Sequence, residues 1–562
     1  MDLLFFQPQN SIIIKYSMKK IIALTFAVLT LLIVSSSTYA QDVKRPKLVV
    51  GIVVDQMRFD YLYKYYSFYG SGGFKRLMNE GSNFTFAHFN YEVTKTAPGH
   101  ASIYSGTTPF YHGIIGNDWY DKQSKQSVNA VVDPNYKSVS SNDEEGECSP
   151  EKLLATTITD QIKLAFNGKS KVISVSFKNR GAVLPGGHMP DGVYWYNQNN
   201  GDFITSNYYM DKLPQWVLDF NSRRLSSKYI ETGWQLALPK EKYAMSEPDE
   251  TDNEEDVFSE GKTSFPHTFK NVKPEDKHSK VSTTPFGNEL VYELAKSALV
   301  NENLGRDEYT DFLAVSFSST DYVGHAYGTD AYETQDIYVR LDATLSEFLT
   351  TLDKTLGEGN YLLFLTADHA GIETPSFLKE NKIPTGELGN KNFTNLVSEF
   401  VAKTFGSDKL IENFSNKQIY FDRVEIKKRG VDIHQLQQKT ADFIRDSFPL
   451  VATIYTRDNL EGKTATREPV NPILNSYNMA IAGDVFYTLQ SGNLPTFRAQ
   501  GTTHGTEFSY DTHVPLLFFG WNVPKQTVNT PVYIVDIAPT IADLIKITEP
   551  SASIGTPLIK GN

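Results

Sequence analysis

Tyr361-Leu362-Leu363-Phe364-Leu365-Thr366-Ala367-Asp368-His369 is the stretch on which the reading of this chain turns. An unbroken apolar run passes straight into a carboxylate and an imidazole. A run that does not alternate between apolar and polar residues fits a strand buried on both faces. The same design recurs at Leu48–Val54 before Asp55, at Val172–Phe177 before Lys178, and at Phe312–Phe317 ahead of Asp321. Val514–Phe519 supplies a late fifth run. Helical patterns lie between the runs, at Ser149–Phe166 and Glu333–Leu352. This alternation predicts an α/β fold with a mostly parallel central sheet flanked by helices. Ligands in such sheets sit beyond the carboxyl ends of the strands, where these polar residues fall.

Composition narrows the function. The chain has 562 residues, 66 acidic against 54 basic, for a net charge of −12. Hydrophobic residues make up 40%, enough for a large core and too many for a largely disordered chain. The acidic balance argues against a nucleic-acid binder, which would need a basic face. A small phosphorylated substrate stays possible, because a local metal or cation can outweigh the global charge. Cys148 is the single cysteine, so an internal disulfide and a Cys-rich zinc cluster are both excluded. Any metal must be held by His and carboxylates.

Residues 1–40 read as a leader. Ile21–Val34 is apolar but short for a bilayer span, follows Lys19 and Lys20, and precedes Thr38-Tyr39-Ala40. That is the layout of a secretory signal, with Met18 as the expected start and cleavage after Ala40. Gln41 excludes lipid attachment at a new N-terminal cysteine. The expectation is a periplasmic or secreted monomer with no membrane anchor once the leader is removed. Residues 41–562 read as one catalytic domain. Insertions at about 185–300 and 374–500 are expected to form a cap over the site. The acidic run Glu247–Asp256 reads as a solvated loop.

His is scarce, with 11 in the chain, so its placement carries information. Asp321 and His325 stand four apart, one helical turn. Asp368-His369 and Asp55 end strands, and Gly501-Thr502-Thr503-His504 precedes the last predicted strand. Three Asp and three His are thereby expected at one sheet edge. Carboxylate and imidazole suit zinc, with other divalent metals open. Two such ions about 3.5–4 Å apart suit phosphoryl transfer. A nucleophile candidate is Thr96, in Thr96-Ala97-Pro98-Gly99-His100. A helix start there would offer backbone N–H groups to an anion. The plainer reading of Thr96 is a helix N-cap. Lys178 and Arg180, two apart after a strand, would suit the charge of a phosphate monoester; the alternative is ordinary surface charge.

Val53-Val54-Asp55-Gln56-Met57-Arg58, Thr96–His100, Gly116-Asn117-Asp118-Trp119-Tyr120, Ser176–Arg180, Ser319–His325, Ala367-Asp368-His369 and Gly501–His504 together resemble the alkaline phosphatase superfamily. The order and content are similar to its PafA-type, phosphate-irrepressible secreted members, from about Arg45 to the C-terminus. The resemblance implies an alkaline-phosphatase-like fold and two Zn²⁺ ions. It places one ion on Asp321, His325 and His504, and the other on Asp55, Asp368 and His369 together with Thr96. It also implies a covalent phosphothreonine on Thr96, and phosphoryl contacts from Asn117, Lys178 and Arg180. One departure is Ala370-Gly371 after His369, where Gly is expected first; this concerns loop geometry.

The implied substrates are small phosphate monoesters. A phosphodiesterase or nucleotide pyrophosphatase of the same superfamily is the first alternative, and Lys178 and Arg180 speak against it. A sulfatase is disfavoured because oxidising Thr would give a ketone, whereas formylglycine comes from Cys or Ser. A non-catalytic exported metal-binding protein is a further class. Structural zinc normally takes four protein ligands, and two open three-ligand sets beside a Thr do not match that.

Overall fold

The computed structural model of the protein describes residues 44–494 and 500–561. The leader expected over residues 1–40 lies outside them. The strands that matter here are β1 (Leu48–Val54), β2 (Ser82–His88), β3 (Val172–Ser176), β4 (Gly192–Tyr196), β5 (Phe203–Ser206), β6 (Asp311–Phe317) and β7 (Tyr361–Thr366). They are followed by β8 (Ile411–Ser415), β9 (Gln418–Phe421), β10 (Val451–Thr456), β11 (Val485–Leu489) and β12 (His513–Gly520). The main sheet runs β2-β12-β7-β1-β6-β3-β4-β5, with short strands at its margins. β8, β9, β11 and β10 make a separate four-stranded sheet.

Every residue of β1 is buried, as expected for a strand covered on both faces. It pairs in parallel with β7, Leu48 opposite Tyr361 and Val53 opposite Thr366. On its other edge it pairs in parallel with β6, Leu48 opposite Asp311 and Val54 opposite Phe317. Parallel pairing in this register brings the three carboxyl ends out level. The Asp55 N–H continues the ladder to the Phe317 carbonyl at 3.0 Å. β12 is antiparallel to β7. Its amino end therefore lies at the edge where β1, β6 and β7 finish, and the loop before it arrives there too.

Helices α1 (Thr96–Ser105), α2 (Ile158–Ala165), α3 (Asn179–Gly186), α4 (Phe286–Asn301), α5 (Ser319–Tyr327) and α6 (Tyr332–Leu356) include those that position the site. In α6, Ile337, Leu341, Leu345, Phe348 and Leu352 recur at spacings of three and four and are buried, so one stripe faces the core. None of the helices among the described residues is long and apolar enough to cross a membrane.

The structure corrects three expectations. The helix predicted over Ser149–Phe166 forms only from Ile158. Thr157 and Asp160 make a capping box, the Asp160 N–H donating to Thr157 Oγ1 at 3.0 Å and the Thr157 N–H to Asp160 Oδ2 at 2.9 Å. That box sets the helix start, and Pro150 and the Ser149 bond to Asp133 hold the preceding residues in turns. Secondly, the stretch 185–300 is not wholly an insertion. β4 and β5 within it belong to the main sheet, and α4 packs against β6 and β3. The stretch 374–500 carries the smaller sheet with its own apolar cluster, including Phe393, Ile419, Leu436 and Ile444.

Thirdly, the acidic run Glu247–Asp256 is not simply solvated. Asp249 and Glu254 are buried, Glu254 at 4% exposure. The segment is tied to the sheet edge: the Gly501 N–H donates to the Asn253 carbonyl at 2.7 Å, and the Glu255 N–H to the Ala326 carbonyl at 2.9 Å. Burial, reinforced by the charge of Glu333, pushes the Glu254 carboxyl up to about 9. The unfolded chain releases this proton near the ordinary value of about 4.3, whereas the folded chain keeps it. Glu254 therefore costs stability increasingly as pH rises from that value towards 9. In Glu254→Gln that penalty is removed. Denaturant unfolding at pH 5, 7 and 9 should show the variant gaining on the wild type by up to about 1.4 kcal/mol per pH unit. A gap independent of pH would contradict this.

Candidate active site

Asp55 follows β1 directly, and Asp368 and His369 follow β7. One potential ligand atom from each lies within 4.8 Å of the other two, and all three residues are buried. Asp55 Oδ1 and His369 Nε2 are buried with no hydrogen-bond partner among the described residues and lie 3.4 Å apart, with Asp368 Oδ1 3.9 Å from the same nitrogen. Buried polar atoms rarely stay unpaired, so these converging acceptors fit a cation. The second cluster is Asp321, His325 and His504, again within 4.8 Å. Asp321 and His325 share one face of α5, His325 Nε2 lying 3.1 Å from Asp321 Oδ1. His504 Nε2 lies 3.7 Å from the same oxygen. The His369 and His504 rings stack with centroids 3.5 Å apart, so the clusters abut.

Each imidazole is oriented by a backbone carbonyl. His325 Nδ1 faces the Thr502 carbonyl at 2.8 Å, His369 Nδ1 the Ala370 carbonyl at 2.9 Å, and His504 Nδ1 the Thr94 carbonyl at 2.7 Å. A carbonyl only accepts, so Nδ1 carries the proton and Nε2 presents its lone pair to the cluster. Burial holds His369 and His504 below the usual imidazole range, keeping both neutral and able to ligate.

Lys178, the N-cap of α3, reaches between the clusters. Its ammonium donates to Asp55 Oδ2 at 2.7 Å and to Asp321 Oδ2 at 2.5 Å. Burial opposes its charge, but Asp321 and Asp55 outweigh that and raise its pKa. Asp55 is pushed well up by burial and by Asp368. Burial acts on Asp321 in the same direction, but His325 and Lys178 prevail and hold it well down. Three buried carboxylates thus stand beside a single ammonium, which contacts two of them. The surplus negative charge fits divalent cations on both clusters.

Thr96 is the first residue of α1 and 1% exposed; Lys95, in extended conformation, is the N-cap. The N-cap reading of Thr96 is therefore displaced by one residue. Thr96 Oγ1 lies 3.5 Å from Lys178 Nζ. Gly99 lets α1 press on the second strand end, since a Cβ there would stand 2.1 Å from the Asp368 carbonyl oxygen. Asn117 Oδ1 accepts from the Ala97 N–H at 2.9 Å, which brings Asn117 to the start of α1. Arg180 is the second residue of α3, half-buried, and its Nε has no hydrogen-bond partner among the described residues.

Two residues here were not singled out from sequence. Gln56 is buried with φ +61, its side-chain amide donating to Asp321 Oδ1 at 2.8 Å and its N–H to Asp368 Oδ1 at 3.2 Å. It joins the two clusters, and only its place directly after Asp55 hinted at that. His100 donates Nδ1–H to the Thr96 carbonyl at 2.9 Å and lies 3.4 Å from Asp368 Oδ2. It was visible as part of the Thr96–His100 motif.

Comparison with known proteins gives one matching family, type I phosphodiesterase / nucleotide pyrophosphatase, over residues 49–507. Alkaline phosphatase PhoV of Synechococcus elongatus is 45% identical over 94% of this chain and 95% of its own length. Alkaline phosphatase PafA of Elizabethkingia meningoseptica is 40% identical over 94% of this chain and 97% of its own. The crystal structure of wild-type alkaline phosphatase PafA superposes with a TM-score of 0.88 at 40% identity, covering 92% of this chain and 99% of that one.

The two clusters should bind cations separately. Atomic emission on chelated and reloaded protein should give two divalent ions per chain for the wild type. Asp368→Asn and Asp321→Asn should each lower this by about one. An unchanged ratio in both variants would dismiss these residues as ligands.

Proposed function

The chain belongs to the type I phosphodiesterase / nucleotide pyrophosphatase family of the alkaline phosphatase superfamily, and we propose that it is an exported alkaline phosphatase, hydrolysing phosphate monoesters through a covalent intermediate on Thr96. The observation that carries this reading is the position of Thr96 Oγ1, 3.5 Å from Lys178 Nζ, while Lys178 itself contacts a carboxylate of each Asp/His cluster. The names of the relatives support the same reaction. Export to the periplasm or beyond rests on the leader pattern of residues 1–40.

Asp55, Asp368 and His369, with Thr96, would hold one zinc ion, and Asp321, His325 and His504 the other. Each set of Asp and His donors suits zinc and leaves coordination open. Zinc would supply Lewis-acid stabilisation of the oxygens that gain charge. The chain's own residues do the rest. Lys178 and Arg180 bring positive charge to the phosphoryl oxygens, and Asn117, held through its Oδ1 by the Ala97 N–H, would donate its amide NH2 to them. Thr96 Oγ1 gives up its proton and forms the new bond to phosphorus as the ester P–O bond breaks, and the leaving alcohol takes up one proton. Water then attacks phosphorus as the Thr96 O–P bond breaks; one of its protons restores the Thr96 hydroxyl, and inorganic phosphate leaves.

A monoester presents three free oxygens, and a diester carries an organic group in place of one. Arg180 should therefore favour monoesters. A hydrogen bond to a charged group is worth about 1.5–3 kcal/mol, or roughly 10- to 150-fold in rate if made only in the transition state. Arg180→Ala should cut kcat/KM for an aryl phosphate by that order, and much less for the matched diester. Equal losses, or a wild type that prefers the diester, would favour the phosphodiesterase reading.

A further inference from the structure

β8 and β9 form a hairpin closed by two residues, Asn416 and Lys417, with φ +51 and +58. Two left-handed residues in a two-residue loop make the tight turn that suits strand twist. The tip is clamped to neighbours of three site residues. Asn416 Nδ2 donates to the Asp118 carbonyl at 2.5 Å, beside Asn117. Asn416 Oδ1 accepts from Lys95 Nζ at 2.7 Å, beside Thr96. Lys417 Nζ donates to the Gly505 carbonyl at 2.6 Å, beside His504, and pairs with Glu92. The smaller sheet is thus fastened to the rim of the site at residues adjoining the nucleophile and one ligand.

A cavity of about 630 Å³ lies between them. Asn117, His504 and Lys95 line it on the side of the site, and Phe414, Tyr487 and Leu489 on the side of the smaller sheet. Its size matches a small organic group. Lys95 is half-buried and makes no ion pair among the described residues, its hydrogen-bond partner being the neutral Asn416 amide. An ammonium has three donors, so two remain. Asp118, exposed, and Asp511 also line the cavity, and the Asp118 charge acts on Lys95 from beyond ion-pair distance. A half-buried cation countered that loosely is costly, and an anion reaching its free donors would relieve the cost.

We propose that this cavity receives the leaving alcohol of the ester and that Lys95 selects alcohols bearing an anionic substituent, either a carboxylate or a second phosphate. This rests on the monoesterase reading above. The test compares phenyl phosphate, 3-carboxyphenyl phosphate and resorcinol bisphosphate in wild type, Lys95→Met and Lys95→Arg. Intrinsic reactivity cancels when the ratio of substrates is compared between proteins. Lys95→Met should lower the preference for the anionic esters over phenyl phosphate by about tenfold or more, and Lys95→Arg should retain part of it. A carboxylate-only or bisphosphate-only effect identifies which anion the cavity takes. Equal losses on all three esters would place Lys95 at the phosphoryl group and overturn the proposal, as would no change on any. A second readout needs no turnover: calorimetry should detect 3-hydroxybenzoate binding to the wild type more tightly than phenol. Equal binding of the two overturns the selection by Lys95. If the wild type hydrolysed none of the esters, the monoesterase reading would fail, and the binding comparison would still decide the cavity's preference.

Discussion

Three carboxylates, Asp55, Asp321 and Asp368, are buried at one edge of the sheet, and one ammonium, Lys178, reaches two of them. That imbalance is the constraint on which the rest of the site depends. Charges of one sign brought together out of water are strongly unfavourable unless countered. The geometry supplies neutral imidazole lone pairs, oriented by carbonyls, in place of further ammonium groups. Such a set attracts metal cations, and those in turn suit a phosphate dianion. Charge surplus, metal affinity and substrate class form one chain of causes.

The sheet makes this arrangement possible. Because β1, β6 and β7 are parallel and in register, their ends present Asp55, the start of α5, and Asp368-His369 side by side. The antiparallel β12 lets a preceding loop deliver His504 to the same edge. Gly501, with φ +65, allows that loop to press on the His325 backbone, where a Cβ would stand 1.9 Å from the His325 carbonyl oxygen. Parallel strands, one reversed strand and a close glycine thus converge on a single pair of clusters.

Much of this was legible in the sequence. Buried strands read as unbroken apolar runs, and Leu48–Val54 and Tyr361–Thr366 match their predicted limits because both faces are covered. The ligand candidates could be read because Asp and His are informative at strand ends. What escaped depended on contacts between distant segments. Gln56 looks like any polar residue after a strand, and its role follows from a left-handed backbone and two partners some 300 positions away. The clamp between Lys95 and Asn416 joins segments with no shared pattern. Glu254 belonged to a run whose composition implied solvent, but packing of the Asn253 and Glu255 backbone against the site buries it.

The central claim is that Thr96 carries the phosphoryl group during turnover. Acid-quenching the protein during steady-state hydrolysis of an aryl phosphate, then sequencing its peptides by mass spectrometry, tests this directly. The account predicts phosphate on Thr96 in the peptide containing Thr-Ala-Pro-Gly-His, and none in Thr96→Ala. Phosphate trapped on another residue, or turnover at the wild-type rate in Thr96→Ala, would contradict it.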